Sequence, residues 1–262
     1  MNESMFNVKG EFYKGERIYM VHHSRFYHCF RNNLSLVKDF IKRMSLVLNL
    51  FFEAGIVHAD LKPDNILIDF DEHSQMIKSM KIIDLGSAFL LNAENYRLKD
   101  QCEFGSSTPE YLPPEIQLYL TRKFTQQNNY QIEDFSEIAF VFDVWSLGSI
   151  LLEVISGFPL WLSLKSRVKS LDNSKSIVNY GIFGVSGRDN NKILQKQHQI
   201  LNNPSHDLAK LRQALKKGYD YTGNNLIENP LFVKLLAGML EFDPEKRMSP
   251  VEILGSEFMT SE

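Results

Sequence analysis

Ile56-Val-His58-Ala-Asp60-Leu-Lys62-Pro-Asp-Asn65-Ile-Leu-Ile68, followed after a polar interval by Lys81-Ile-Ile-Asp84-Leu-Gly86, is the stretch that decides how this chain is read. Two short β-branched runs, Ile66–Ile68 and Lys81–Ile83, bracket the polar segment Asp69–Ser79. That pattern predicts an antiparallel hairpin with a connection longer than the tightest turns. In such a hairpin the start of one strand lies beside the end of its partner. Asn65 immediately precedes the first run and Asp84 immediately follows the second, so an amide oxygen and a carboxylate are brought side by side.

Two hard protein oxygens, completed by phosphate and water, are a common way of holding Mg²⁺. Asp60 lies on the loop leading into the hairpin, five residues before Asn65, and Lys62 can point to the same side to neutralise phosphate charge. A base, a cation and two metal ligands therefore converge. Phosphoryl transfer needs such a set, because its catalysis is mostly positioning and stabilisation of spread negative charge. Taken singly each residue has a bland reading: Asp60 is a solvated loop aspartate and Asp84 an N-cap. Their joint occurrence favours the chemical one.

Working outward, apolar residues recur at Val37, Phe40, Ile41, Met44, Val47, Leu48 and Phe51, the spacing of an amphipathic helix that Gly55 closes as a C-cap. Residues 1–30 are rich in aromatics and contain Arg17-Ile-Tyr-Met-Val21, a strand pattern. A Gly- and Pro-bearing loop runs from Gly86 to Pro114, and a strongly apolar helix runs from Asp143 to Ile155, stopping at Gly157-Phe-Pro159. Phe135, Phe140, Phe142 and Trp145 read as core. Residues 165–230 are polar and read as surface loops with one amphipathic helix near Asp207–Lys217; a last helix, Leu231–Leu240, precedes Asp243-Pro-Glu-Lys-Arg247. The expected class is α+β, mostly α-helical.

These motifs carry a resemblance. HADLKPDN resembles the HRDxxxxN catalytic loop of protein kinases, and Asp84-Leu-Gly86 resembles their DFG. Thr108-Pro-Glu-Tyr-Leu-Pro-Pro-Glu115 looks like the segment ending in APE. Asp143-Val-Trp-Ser-Leu-Gly148 looks like the start of the buried helix of the large lobe, and Asp243–Arg247 like the turn whose arginine pairs with the APE glutamate. The order covers roughly residues 34–258, and within the family the wording is similar to the group containing dual-specificity tyrosine-regulated and splicing-associated kinases.

The resemblance implies ATP and Mg²⁺ as cofactors, a protein substrate, and a role for each matching position. Asp60 would accept or orient the proton of the substrate hydroxyl. Lys62 would contact the γ-phosphate, Asn65 and Asp84 would hold Mg²⁺, and Thr108 would steady Asp60 and Lys62. His58 would be structural. Asp143 would accept backbone N–H bonds from the catalytic loop, and Glu115 would pair with Arg247. The implied organisation is a small-lobe remnant over 1–30 and a large lobe over 31–262. The large lobe holds the catalytic loop 58–65, the metal motif 84–86, the activation and substrate-docking segment 87–115 and an insertion at about 165–230.

Three positions depart from the pattern. Leu85 replaces the usual phenylalanine, a mild change of apolar shape. No Gly-rich loop and no strand lysine precede the first helix; Gly10 and Gly15 do not make GxGxxG. Either the missing strands lie upstream of Met1, or the chain is a large-lobe scaffold that binds partners without turnover. The intact set Asp60, Lys62, Asn65 and Asp84 favours the former, since a scaffold has no chemical need of all four. A small-molecule phosphotransferase is a weaker rival, because residues 108–115 resemble a peptide-docking loop. The last departure is Ala59, where most of the family has an arginine that pairs with activation-loop phosphate.

Composition agrees with a globular, intracellular protein. Of 262 residues 44% are hydrophobic and 23% charged, and the net charge of −3 gives no reason to expect a nucleic-acid or membrane partner. Nothing in it bears on oligomeric state. Two cysteines, Cys29 and Cys102, make neither a disulfide framework nor a zinc site. His22, His23 and His28 read as strand or surface histidines, lacking other ligands at metal spacing. No signal-peptide pattern opens the chain, and the expected location is cytoplasm or nucleus. With Ala59 in place of the phosphate-binding arginine, turnover is expected not to track phosphate on the segment between Asp84 and Glu115. Comparing loop phosphate with activity across replacements of Ser106, Ser107 and Thr108 checks this; strong activation by loop phosphate would refute it.

Overall fold

The computed structural model describes residues 6–13, 16–90, 107–118, 141–156, 166–168, 178–180, 195, 197–198 and 226–261. The readings for the Asp207–Lys217 helix, Gly157–Pro159, Phe135, Phe140, Cys102, most of 165–230 and residues 91–106 lie outside these.

The strand expected around Arg17–Val21 is the middle of β2 (Glu16–His23), which pairs antiparallel with β1 (Phe6–Tyr13), Phe6 opposite His23. Residues 1–30 read as strand and hinge, but strand ends at His23. The Ser24 hydroxyl accepts from Tyr27 N–H and opens α1 (Arg25–Asn32). Its Phe26, Tyr27 and Phe30 are buried in the main core. A run of aromatics looks like strand on propensity; the N-cap and the tertiary burial of one face decide for helix.

Asn33 caps α2 (Leu34–Glu53), accepting from Leu36 N–H at 3.1 Å. Its buried residues, Leu36, Val37, Phe40, Ile41, Met44, Ser45 and Leu48, fall three and four apart, so one face meets the core. Gly55 stands just beyond the end of α2 at φ 66°, the left-handed conformation that closes a helix at small cost only for glycine. β3 (Ile56–Val57) follows and leads to β4 (Ile66–Asp71) and β5 (Met76–Ile82). The β4–β5 strands run further than the sequence suggested: Asp71 pairs with Met76, leaving a connection of residues 72–75 in place of 69–79. The polar residues at 69–71 and 76–79 belong to a ladder with one solvent-facing side, and a register shift at Asp69/Phe70 twists it. β6 (Phe89–Leu90) pairs back on β3.

α3 (Phe142–Ser156) is the central element: every residue from 141 to 154 is buried. A helix apolar on all sides belongs inside the core. β7 (Ser166–Val168) and β8 (Val178–Tyr180) extend the first hairpin into a sheet of order β1-β2-β7-β8. The chain closes with α4 (Pro230–Met239), α5 (Pro250–Leu254) and α6 (Glu257–Thr260). Asn229 caps α4, and a reciprocal Ser249–Glu252 capping box starts α5. The architecture is α+β and mostly helical.

Gly148 is where α3 meets the end of α4. A Cβ there would lie 2.9 Å from Leu240 Cγ and Cδ2 and 3.2 Å from Met239 Cβ, both fully buried residues. Gly148→Ala gains up to about 1 kcal/mol of helix propensity, against about 1–3 kcal/mol for overpacking. A net loss of about 1–2 kcal/mol is expected from urea unfolding, with no change in the slope against denaturant.

Candidate active site

The loop between β3 and β4 is held from below by one carboxylate. Asp143, in the first turn of α3, accepts from His58 N–H at 2.8 Å and from Ala59 N–H at 3.1 Å. Burial pushes its carboxyl up, against the pull of these backbone donors and of His58. The two bonds hold Ala59 at φ 63°, a conformation costing an L-residue roughly 1–2 kcal/mol. His58 is itself fully buried. Its Nδ1 accepts from Asp60 N–H at 3.3 Å, so the ring hydrogen sits on Nε2 and donates to Ile83 O at 3.0 Å. The ring lies nearly parallel to Phe51 of α2. One histidine thus fixes the loop to the strand end that delivers Asp84.

Asp60, 6% exposed, has both oxygens engaged. Thr108 N–H donates to Oδ1 at 2.7 Å; Lys62 Nζ donates to Oδ2 at 2.8 Å and also to Thr108 Oγ1 at 2.8 Å. Asn65 Nδ2 donates to Asp60 O at 2.8 Å and to Oδ2 at 3.3 Å. A carboxylate this buried is costly unless paired and hydrogen-bonded, and here an ammonium, an amide and a backbone N–H share that task. Thr108, 46 residues from Lys62, belongs to the cluster as firmly as the loop does.

Asn65 O accepts from Ile83 N–H at 3.0 Å, carrying the hairpin ladder one step past Ile66–Ile82. Asp84 therefore adjoins Asn65 through the backbone. It is exposed, at φ 63° and ψ 71°, and its Oδ1 accepts from Gly86 N–H at 3.3 Å. A Cβ on Gly86 would stand 3.1 Å from that oxygen, so glycine leaves the carboxylate its room. Asp60, Lys62, Asn65 and Thr108 thus form one bonded cluster, and Asp84 stands beside it with no bond of its side chain to the other four.

Glu115 and Arg247 meet in a two-pronged ion pair of 2.8 and 2.9 Å. The guanidinium, whose side chain is 0% exposed, also donates to Glu241 O and Val141 O and lies 5.2 Å from the Trp145 ring centroid. The segment after Thr108 is thereby tied to α3 and to the turn before α5.

A further pair escaped the sequence reading. Tyr111 OH donates to Glu153 Oε1 at 2.7 Å, and Ser146 Oγ donates to Tyr111 O at 3.0 Å. Burial, with the neighbouring Asp64 and Glu110 adding to it, pushes Glu153 up to about 8, while the Tyr111 bond pulls the other way. The signal was a lone carboxylate inside the apolar run Leu151-Leu-Glu153-Val.

Removing one partner of a buried ion pair leaves an uncompensated charge and costs about 3–5 kcal/mol. Glu115→Ala, which strands the wholly buried Arg247, is expected to lose that much in urea unfolding. Glu115→Ala with Arg247→Leu should recover part of it. Additive losses would show that the pair is not coupled.

The sequence matches the protein kinase domain family over residues 11–259. It is 26% identical over 233 residues to dual specificity tyrosine-phosphorylation-regulated kinase 2 of Drosophila melanogaster, covering 87% of this chain and 27% of that one. It is 30% identical over 224 residues to the mitogen-activated protein kinase HOG1 of Chaetomium globosum, covering 85% and 51%. The chain thus spans about a quarter to a half of these relatives' lengths. In fold it is similar to a chain in the crystal structure of the yeast RNA Pol II CTD kinase CTDK-1 complex, with a TM-score of 0.54 at 18% identity, covering 99% of this chain and 76% of that one. With the domain matched over nearly its whole length, this chain belongs to the protein kinase family.

Proposed function

We propose that the site transfers the terminal phosphoryl group of ATP, with Mg²⁺, to a serine or threonine hydroxyl of a protein. The observation that carries the reading is Lys62 Nζ shared between Asp60 Oδ2 and Thr108 Oγ1 at 2.8 Å each. It sets a carboxylate and a cation side by side, with the threonine from the docking segment as their common support. Asp60 receives the substrate hydroxyl and holds its proton as the oxygen attacks. Lys62 meets charge on the transferred group. Thr108 keeps the two in register.

The donor set suits Mg²⁺. Asn65 spends its amide nitrogen on Asp60, leaving the amide oxygen as its ligand atom, and Asp84 offers an exposed carboxylate next to it. Bound Mg²⁺ and ATP would supply the phosphoryl group and neutralise its oxygens. Asp143, His58 and the Glu115–Arg247 pair position these groups and touch no substrate. Residues 1–30 are proposed as the remnant of the small lobe and 31–262 as the large lobe. The words dual specificity and serine/threonine in the names of relatives support Ser/Thr or dual specificity. Among the described residues no helix is long and apolar enough to cross a membrane.

Independence from loop phosphate has support in Ser107. It is 2% exposed and its Oγ has no hydrogen-bond partner, so a phosphate would not fit there without opening the segment. The rival reading is a partner-binding scaffold. Asp60→Asn is expected to lower phosphorylation of a generic basic protein by about 10²–10⁴-fold, the usual worth of a general base. The variant should keep the nucleotide-dependent thermal shift, which corresponds to about 2.7 kcal/mol at 100 times Kd. Turnover unchanged by Asp60→Asn would overturn the assignment, and no shift at saturating ATP–Mg²⁺ would favour the scaffold.

A further inference from the structure

Glu153 is 2% exposed, sits one turn from the end of α3, and reaches out of the core to a single partner. Its Oε1 accepts from Tyr111 OH at 2.7 Å, while Oε2 is buried without any hydrogen-bond partner. Tyr111 belongs to a short 3₁₀ turn, Pro109–Tyr111, fastened to α3 twice: by its own hydroxyl and by Ser146 Oγ on its carbonyl. Tyr111 N–H donates to Thr108 O at 3.1 Å, and Thr108 N–H donates to Asp60 Oδ1 at 2.7 Å. An unbroken line of bonds therefore runs from Glu153 through one turn to the catalytic-loop carboxylate.

We propose that the Tyr111–Glu153 pair is a proton-linked clamp: the closed state carries a proton on Glu153, and opening of the Pro109–Tyr111 turn away from α3 releases that proton to water. Since Oε1 is already an acceptor, the proton resides on Oε2. An ionised carboxylate in the closed state would be left with a bare, desolvated oxygen. Among the described residues, the titratable groups that act on Glu153 are Tyr111 and Glu110 on the turn and Asp64 before β4, and none of them is a cation. Among the described residues, the buried ones of α2 and α4 are apolar apart from Ser45, while α1 carries the phenol of Tyr27 and the half-buried imidazole of His28. The consequence for catalysis rests on Thr108 having the role proposed above. The clamp itself does not, and turnover is not needed to see it.

The sign follows from linkage. In the closed state Glu153 titrates at about 8, whereas an exposed glutamate titrates at about 4.3. Between these values the closed state holds one proton more, so opening becomes about tenfold easier per pH unit, and above about 8 it levels off because both states are ionised. Two measurements on the whole chain test this. Amide exchange at Thr108 and Tyr111, corrected for the intrinsic pH dependence, should lose protection by about tenfold per unit from pH 6 to 8 and then plateau. Infrared spectra at neutral pH should show a protonated-acid carbonyl stretch that disappears in Glu153→Gln. The same variant, which mimics the protonated form, should flatten the exchange profile. Tyr111→Phe removes the bond that favours the ionised form, and should move the plateau to higher pH. A Glu153→Gln profile that keeps the wild-type slope, or a neutral-pH spectrum without the acid band, overturns the proposal. A flat profile in the wild-type chain does so as well, and needs no variant to fold.

Discussion

Asp143 and the two N–H groups it holds are the junction on which the rest of the site depends. The carboxylate is buried at the start of a helix that is itself buried from residue 142 to residue 154. At a helix N-terminus a negative charge gains from the unpaired N–H groups there, and here it is turned to bind donors of another segment. Without that grip Ala59 has no reason to stay in the left-handed region, and the direction of Asp60 depends on Ala59. His58 adds the second constraint by taking Asp60 N–H on one ring nitrogen and giving the other to Ile83. Loop and strand end are thus registered by a helix beneath and a histidine between them.

Around the site, the buried charged groups Asp60, Asp143 and Arg247 are each met by a group from another element. Thr108 stands just before the 3₁₀ turn Pro109–Tyr111, and Glu115 lies in the helical stretch 114–118. The Thr108 backbone and the Glu115 side chain are met by Asp60 and Arg247, respectively, while Tyr111, Leu112 and Ile116 of the same segment are buried. Arg247 does this from a turn that also receives two carbonyls and the Trp145 ring. Such a centre contributes modestly to net stability because burying charge is costly, while it defines which segment docks where.

Much of this was legible in the sequence because the motifs are local. The hairpin, the α2 periodicity and the apolar run of α3 each declare themselves within a dozen residues. What was missed depended on tertiary context. The aromatic stretch at residues 25–32 has strand-like propensity and became α1 because Ser24 caps it and its aromatic face meets α2 and α3. The hairpin strands were drawn too short because polar residues on their solvent side look like loop. Tyr111–Glu153 joins residues 42 apart, and no spacing rule anticipates that. Asn65 and Asp84, expected to bring their side-chain oxygens together, are joined by the backbone bond from Ile83 N–H to Asn65 O.

α3 and the segment docked on it illustrate three solutions to one problem, a carboxylate with little access to water. Asp143 is met by backbone N–H donors, which the loop brings at the cost of the left-handed Ala59. Glu115 is met by a guanidinium that is itself wholly buried. Among the described residues Glu153 has neither a cation nor a second donor, and burial raises its proton affinity until holding the proton is the easier state. The first two solutions do not change with conditions near neutrality: backbone amides do not titrate there, and an arginine stays charged. The third does. The segment from Thr108 to Glu115 is fastened by Thr108 on Asp60, by Ser146 on the Tyr111 carbonyl and by the Glu115–Arg247 pair, and its protonatable contact is Tyr111 on Glu153, one turn beyond the threonine that touches Asp60.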